Sequence, residues 1–258
     1  MAPGDINRID GPEAFQKAFA VSRETVDRLK VYADLLKRWQ KTINLVAPST
    51  LDDIWHRHLA DSAQLWGACT SPSPRTLRGE GWGEGRQHAP AQAAAPHPDP
   101  LPAPSAGAQG EGMRFLDLGS GAGFPGLVLA IMAAETGRTL HTLVESDTRK
   151  AAFLREVARH TGVTVDIVAA RIELTKTVAK VGGVDCVTAR ALAPLPRLLP
   201  LVAPYFGVAT VGLFLKGREV TAELEESTRA WEFNSQLQPS LTDPDGRIVV
   251  ISALRQKS

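Results

Sequence analysis

From Ser22 to Gln40 the apolar residues Val26, Leu29, Tyr32, Ala33, Leu35, Leu36 and Trp39 return every three or four positions. That period predicts an amphipathic helix, with Ser22 as its N-cap and Glu24 in its first turn. After the loop INLVAP, Ser49 is placed to cap a second helix, TLDDIWHRHLADSAQLW, with an apolar stripe at Trp55, Leu59 and Trp66. From Met113 the pattern changes. Short apolar runs (MRFLDL, TLHTLVE, VTVDIVAA, VDCVTAR, ATVGLFLK) alternate with helical stretches (PGLVLAIMAAE, DTRKAAFLREVARH, ELTKTVAK, PLPRLLPLVAPY, REVTAELEESTRAW). Such alternation predicts a parallel sheet covered by helices on both faces. The last two runs, EFNSQLQPSL and GRIVVISAL, are joined by the turn-rich TDPDG and predict an antiparallel hairpin appended to the sheet. The expectation is an α/β fold: a mostly parallel seven-stranded sheet with a helical N-terminal extension.

Residues 70–112 follow neither period. They hold 8 of the 18 prolines and 7 of the 22 glycines and almost nothing aliphatic to bury, so they cannot offset their ordering entropy. GEGWGEG and PHPDP within them can be coded as near reverse complements, which points to an inverted repeat inserted in frame at a tolerant surface loop. The expected organisation is a helical extension over 1–69, a disordered Pro/Gly-rich insert over 70–112 and a catalytic domain over 113–258. A chain of 258 residues with 43% hydrophobic content can build one sizeable core. Its 29 basic residues against 28 acidic ones give no global field for nucleic acid, which leaves only local patches to anchor phosphates. Cys69 and Cys186 lie far apart in sequence and suggest a reducing compartment with neither a zinc site nor a disulfide framework. With no apolar signal core at the start and no membrane-length apolar run, the expectation is a cytoplasmic protein with no membrane partner, taken as a monomer.

The chemistry concentrates in FLDLGSGAGFPG, residues 115–126. Gly121, Gly123 and Gly126 fit the G-x-G-x-x-G of dinucleotide sites. Asp117, Gly119, Gly121 and Gly123 fit instead the D-x-G-x-G-x-G of sites for S-adenosylmethionine (SAM). Either way, a strand that bends through glycines lets the backbone approach a ligand, and Pro125 suits the first turn of the next helix. A carboxylate beside the turn suits a cationic sulfonium and ammonium better than a pyrophosphate, so Asp117 favours SAM. That reading makes the match at Gly126 a coincidence. Glu145 ends the next strand, where an acid can hold ribose hydroxyls of either cofactor. By analogy of fold, the sheet closed by a hairpin is the Rossmann-like class I SAM-dependent methyltransferase architecture.

The acceptor is approached by subtraction. Cys186 sits inside an apolar run rather than in a loop, which argues against a cysteine nucleophile. TARA follows the fourth strand in place of the Pro-Pro motif of exocyclic-amine methyltransferases. An acceptor that is already nucleophilic remains, and guanine N7 fits, with Arg or Lys gripping its Hoogsteen edge. Another RNA, a small molecule, or a non-catalytic rRNA-binding module of the same fold stay open on these grounds.

NLVAPSTLDDIWHRHLADS, FLDLGSGAGFPG, LVESDTRKAAFLREV, AARIE, DCVTARALA and FLKG, in this order, resemble the RsmG (GidB) family of 16S rRNA (guanine-N7) methyltransferases. Val46 is the one departure from its N-L-T and R-H-x-x-D-S pattern. The resemblance implies methyl transfer to a guanine in the decoding-region hairpin of 16S rRNA, free or in a small-subunit assembly particle. It implies SAM contacts from Gly119, Phe124, Ile172, Glu173 and Arg190, with Glu145 on the ribose, the Ile172 backbone and the Glu173 side chain near the adenine, and no covalent nucleophile. Asn44, Arg57, His58, Asp61 and Lys216 are the candidates for positioning the substrate. His56 and His58 are two apart on a helix and no acid or cysteine completes a set, so no metal is expected.

Overall fold

Ser22 accepts the amide hydrogen of Thr25 at 3.0 Å and starts the helix α2 (Arg23–Trp39) where the period places it. A shorter helix, α1 (Pro12–Phe19), precedes it without having been anticipated, and buries Phe15. The computed structural model describes residues 8–70 and 112–257, so the expectation of a disordered insert falls almost wholly outside the described residues. The second helix departs from expectation. Ser49 lies within a single 3₁₀ turn (Pro48–Thr50) and caps nothing. The segment then continues as a π-helical turn over Trp55–Ala60, α3 (Asp61–Ala63) and α4 (Leu65–Thr70). In the π turn the Asp61 amide reaches back five residues to the His56 carbonyl, a widened geometry often found at functional sites.

The strands are β1 (Met113–Leu118), β2 (Thr139–Glu145), β3 (Asp166–Ala169), β4 (Cys186–Arg190), β5 (Val211–Lys216), β6 (Trp231–Pro239) and β7 (Arg247–Gln256). They form one sheet in the order β3-β2-β1-β4-β5-β7-β6. All neighbours are parallel except β7, which runs antiparallel to both β5 and β6, so the sheet and its terminal hairpin are as expected. The crossovers carry α5 (Gly126–Ala133), α6 (Thr148–Thr161), α7 (Thr175–Val181), α8 (Leu195–Val202) and, before the hairpin, α9 (Val220–Ser227). At α6, Asp147 caps the Arg149 and Lys150 amides and Gly162 closes the helix at φ 68°.

α5 explains why the extension is there. All of its eight residues are buried, whereas a helix covering a sheet normally leaves a solvent face. The face turned from the sheet is covered by α2 and α3. Leu29, Tyr32 and Leu36 of α2 therefore share one apolar cluster with Leu127, Val128 and Ile131 of α5 and Phe153 of α6. A second cluster fills the opposite side of the sheet, around Leu195, Leu199 and Tyr205. The two cysteines meet in a third, with sulfurs 3.6 Å apart as free thiols, although they are far apart in sequence. Cys186 is buried, as its apolar run implied.

Candidate active site

Between β1 and β4 the strand order reverses, and loops leaving the C-terminal ends of neighbouring strands diverge there to leave a crevice. The glycine turn lies on one side of it. Gly119, Gly121 and Gly123 have φ of 66°, 56° and 98°, left-handed values that cost an L side chain about 1–2 kcal/mol each. These are the three glycines of D-x-G-x-G-x-G. Gly126 is not strained, but it has a packing role of its own: a Cβ there would stand 2.7 Å from Cβ and Oδ2 of Asp117. It lets α5 close onto β1. Pro125 sits just before that helix, one position earlier than expected.

The turn is tied on several sides. The Gly119 and Ser120 amides donate to the Val144 carbonyl at 2.9 and 3.1 Å. Glu145, buried at the end of β2, accepts from the Gly121 amide at 2.7 Å and the Asp147 amide at 2.8 Å. It therefore fixes the turn against β2. Asp117 lies beneath, fully buried, with Oδ1 accepting from the Thr188 hydroxyl at 2.8 Å and Oδ2 without a protein partner. Burial dominates there and pushes its carboxyl up to about 6 against the pull of the Ser120 and Thr188 hydroxyls and the Gly126 amide.

Phe124 closes the turn inside a stack. Its ring stacks with Tyr32 of α2 at 5.3 Å and 24° and with His58 at 5.0 Å and 18°, and the Arg190 guanidinium stands 5.7 Å from its centroid. Arg190, at the end of β4, donates through Nη2 to the Arg57 carbonyl at 2.9 Å and to His58 Nδ1 at 3.0 Å, and its Nε is 3.3 Å from Asp61 Oδ2. An arginine can only donate, so Nδ1 carries the lone pair and Nε2–H of His58 donates to Thr50 Oγ1 at 2.8 Å. Thr50 in turn donates to the Ala47 carbonyl at 2.8 Å. Burial, with Arg190 and Arg57 nearby, pulls His58 down to about 3, so the imidazole is neutral at physiological pH. Arg190 Nη1 remains a buried donor without a partner.

Asp61 binds both ways: Oδ1 accepts from Thr242 Oγ1 at 2.7 Å and Gln64 Nε2 at 2.9 Å, which docks the β6–β7 loop onto the π turn. His56 bonds to the same loop through the Thr242 carbonyl, at 3.0 Å, on a different side from His58. Arg57 points outward to Asp243 at 3.3 Å. Lys216 is not a loose cation. It is 9% exposed, donates to the Ala193 carbonyl at 2.6 Å and pairs with Glu223 at 3.0 Å, so it braces the loop after β4. Asn44 is exposed, with its carbonyl oxygen 3.4 Å from Gln40 Nε2; Gln40 also holds the Leu45 and Val46 amides. Ile172 and Glu173 follow β3 at the other end of the crevice. The Ile172 carbonyl accepts from Tyr205, and Glu173 is paired with Arg171 at 3.3 Å.

The structure thus gathers Arg57, His58, Asp61, Phe124 and Arg190 into one cluster, puts Glu145 and Asp117 under the turn, and leaves Asn44 and Glu173 at the periphery. A cavity of 480 Å³ opens beyond β4 and β5, lined among others by Arg57, Asp61, Arg190, Lys216, Asp243 and Arg247. Sequence reasoning missed Tyr32, Thr188, Thr242 and Tyr205. Tyr32 was hidden by its place in the apolar stripe. Thr188 is two residues before Arg190, on the same face of β4, which was a usable signal. Among the described residues no group of three or more His, Cys, Asp or Glu could hold a metal, and no helix is long and apolar enough to cross a membrane.

The family model described as GidB, rRNA small subunit methyltransferase G, matches residues 25–77 and 105–246. The gap between the two matched stretches, 78–104, lies inside 70–112. Over 239 residues the chain is 44% identical to a ribosomal RNA small subunit methyltransferase G of Paramagnetospirillum magneticum, covering 93% of this chain and 94% of that one. It is 41% identical over 243 residues to the protein of the same name from Parvibaculum lavamentivorans, covering 94% and 89%. Among solved structures, MtNAS in complex with MTA and tNA aligns with a TM-score of 0.50 at 12% identity, over 93% of this chain and 75% of that one, a likeness of fold.

Proposed function

The chain belongs to the rRNA small subunit methyltransferase G family, and from that premise we propose that it transfers a methyl group from SAM to N7 of a guanine in the decoding-region hairpin of 16S rRNA. SAM-dependent methylation of rRNA is the activity of its family; the atom and the hairpin are the proposal. The observation that supports it is the assembly of Arg57, His58 and Asp61 against the glycine turn, through the His58–Phe124 stack and the bonds of Arg190.

The residues fit the cofactor. Asp117 Oδ2 and Arg190 Nη1 are buried without partners, an anionic acceptor and a cationic donor, the pair that the amino-acid end of SAM requires. SAM supplies the electrophilic methyl group on its sulfonium. We assign Gly119, Gly121, Gly123, Phe124 and Arg190 to the methionine end, Glu145 to the ribose beside the turn, and Ile172 and Glu173 to the adenine. The cavity beyond β4 and β5 is assigned to the acceptor. Arg57 and Arg247 there can grip O6 or flanking phosphates and leave the N7 lone pair open to the methyl group. Guanine N7 holds a free lone pair, so no proton must be removed first, and a neutral His58 is consistent with a positioning role. Lys216 and Asp61 act through the loops they hold, and Asn44 at the rim.

The proposal extends to a cytoplasmic monomer acting on 16S rRNA or an assembling small subunit, with 70–112 as an insertion outside the machinery. Mass-spectrometric mapping of 16S rRNA from a deletion strain tests it. One N7-methylguanine should disappear and return on complementation; an unchanged map overturns the proposal.

A further inference from the structure

The chain contains only two tyrosines in 258 residues. Both are buried, Tyr32 at 0% and Tyr205 at 3% exposure. Both donate their hydroxyl to a main-chain carbonyl in a loop that follows a strand at the crevice. Tyr32 donates to Ala122, in the turn after β1. Tyr205 donates to Ile172, in the loop after β3, at 2.7 Å. They approach from opposite faces of the sheet, Tyr32 within the cluster of α2, α5 and α6 and Tyr205 within the cluster of α8. We propose that these two phenols are positioning residues that preset the two halves of the cofactor site, Tyr32 the methionine end and Tyr205 the adenine end. The inference rests on the SAM reading above.

A phenylalanine would fill either place without the cost of burying a hydroxyl, so the oxygen's contribution is the tie itself. The phenols take carbonyls that the other ties of these loops leave open. In the turn, the amides of Gly119, Ser120 and Gly121 are held from below and the side by Val144 and Glu145, and Tyr32 takes the next carbonyl. The Tyr32 oxygen also stands 2.7 Å from where a Cβ on Gly123 would be, so the phenol limits that position to glycine in addition to its φ. Beyond β3, the Arg171 carbonyl is held by Thr177 at 2.9 Å and the neighbouring Ile172 carbonyl by Tyr205. Burial raises the pKa of both phenols above its ordinary value, which keeps them protonated as donors. A loop already fixed in its bound shape loses less entropy when the ligand arrives.

The two halves can be told apart by ligands that fill one half or both. Calorimetry with adenosine and with SAM is run on wild type, Tyr32→Phe and Tyr205→Phe, with methyl transfer at saturating SAM alongside. An untethered carbonyl is expected to lower affinity about tenfold. Tyr205→Phe should weaken adenosine and SAM alike. Tyr32→Phe should weaken SAM and leave adenosine unchanged. The maximal rate should stay within about twofold for both, since neither oxygen touches the reacting atoms. Equal effects on both ligands in both variants, or a change in melting temperature with no change in affinity, overturns the inference. Failure of wild type to bind SAM would instead refute the cofactor reading. If a phenylalanine variant does not fold, trifluorotyrosine at that position keeps the shape and alters the acidity of the donor. Its affinity must then shift for the ligand half named above, and an unchanged affinity counts against the tie.

Discussion

Replacing Asp117 by asparagine tests how the site stores its charge. Asp117 is fully buried, Oδ2 has no protein partner, and the carboxyl is raised from 3.8 to about 6. A folded-state value above the unfolded one means that the native state holds the proton more tightly between these limits. Stability from this group is therefore fully present below about pH 3.8 and lost as pH rises through about 6. The full difference is about 2.2 units, or about 3 kcal/mol, and between pH 5 and pH 8 about 1.4 kcal/mol of it is lost. Asparagine keeps an acceptor for Thr188 and cannot ionise, although its amide nitrogen takes the unpartnered place of Oδ2 at a cost of about 1–2 kcal/mol. Asp117→Asn should thus be more stable than wild type by about 1–2 kcal/mol at pH 8, and the advantage should shrink by about 1.4 kcal/mol at pH 5. Urea denaturation of both proteins at the two pH values measures this, and every other titration cancels in the difference. SAM affinity should move the opposite way, because the oxygen left unpartnered in the fold is the one assigned to the ligand. A stability difference that is the same at both pH values would show that the carboxylate is already compensated, and the reasoning from its orphaned oxygen would fail.

Asp61→Asn removes the counter-charge of Arg190 at 3.3 Å in a pair of which both members are mostly buried. At an effective dielectric of about 20 the attraction is about 5 kcal/mol, and partial solvation and the remaining hydrogen bonds bring the expected loss to about 2–3 kcal/mol by denaturation. A loss under about 0.5 kcal/mol would mean that the pair is solvated. His58 and His141 are pulled by burial to about 3 and about 4, below the unfolded value of 6.5, so the unfolded chain takes up protons that the native state refuses. Each should withdraw about 1.6 kcal/mol between pH 6.5 and pH 5, and His141→Gln should flatten the acid limb of a melting-temperature profile by about half. Gly126→Ala places a methyl 2.7 Å from Asp117 and should cost about 1–3 kcal/mol, more than alanine's helix preference returns; a neutral effect would refute the close packing of α5 on β1.

The sequence pattern was sufficient for the architecture because the strands after β1 are apolar runs separated by helices of ordinary period, and each local preference agrees with the sheet. It was insufficient around residues 49–61. A widened π turn has no hydrophobic period of its own, and the 3₁₀ turn at Pro48–Thr50 takes Ser49 away from the capping position. For the site, glycines that need positive φ are legible in composition, so Gly119, Gly121 and Gly123 stood out. Lys216 and Tyr32 were not legible, because their roles depend on partners distant in the chain: Ala193 and Glu223 for one, Ala122 for the other. A lysine at a strand end reads the same whether it is loose or spent on an ion pair.

The extension follows from the same contacts. α5 must carry the glycine turn at its N-terminus and is apolar around its whole circumference, so the sheet alone cannot cover it. Of the segments that cover it, α2 brings Tyr32 against Phe124, the π turn brings His58 against the same ring and supplies the Arg57 carbonyl, and the start of α3 supplies the Asp61 carboxylate that holds Arg190. Burying α5 and building the wall of the site are one packing event. A truncation starting at Met113 would then expose the outer face of α5 and leave Arg190 without Asp61, His58 and the Arg57 carbonyl. Cofactor binding and folding should be lost together in it, which is why the point variants at Tyr32, Asp61 and Asp117, rather than deletions, separate the contributions.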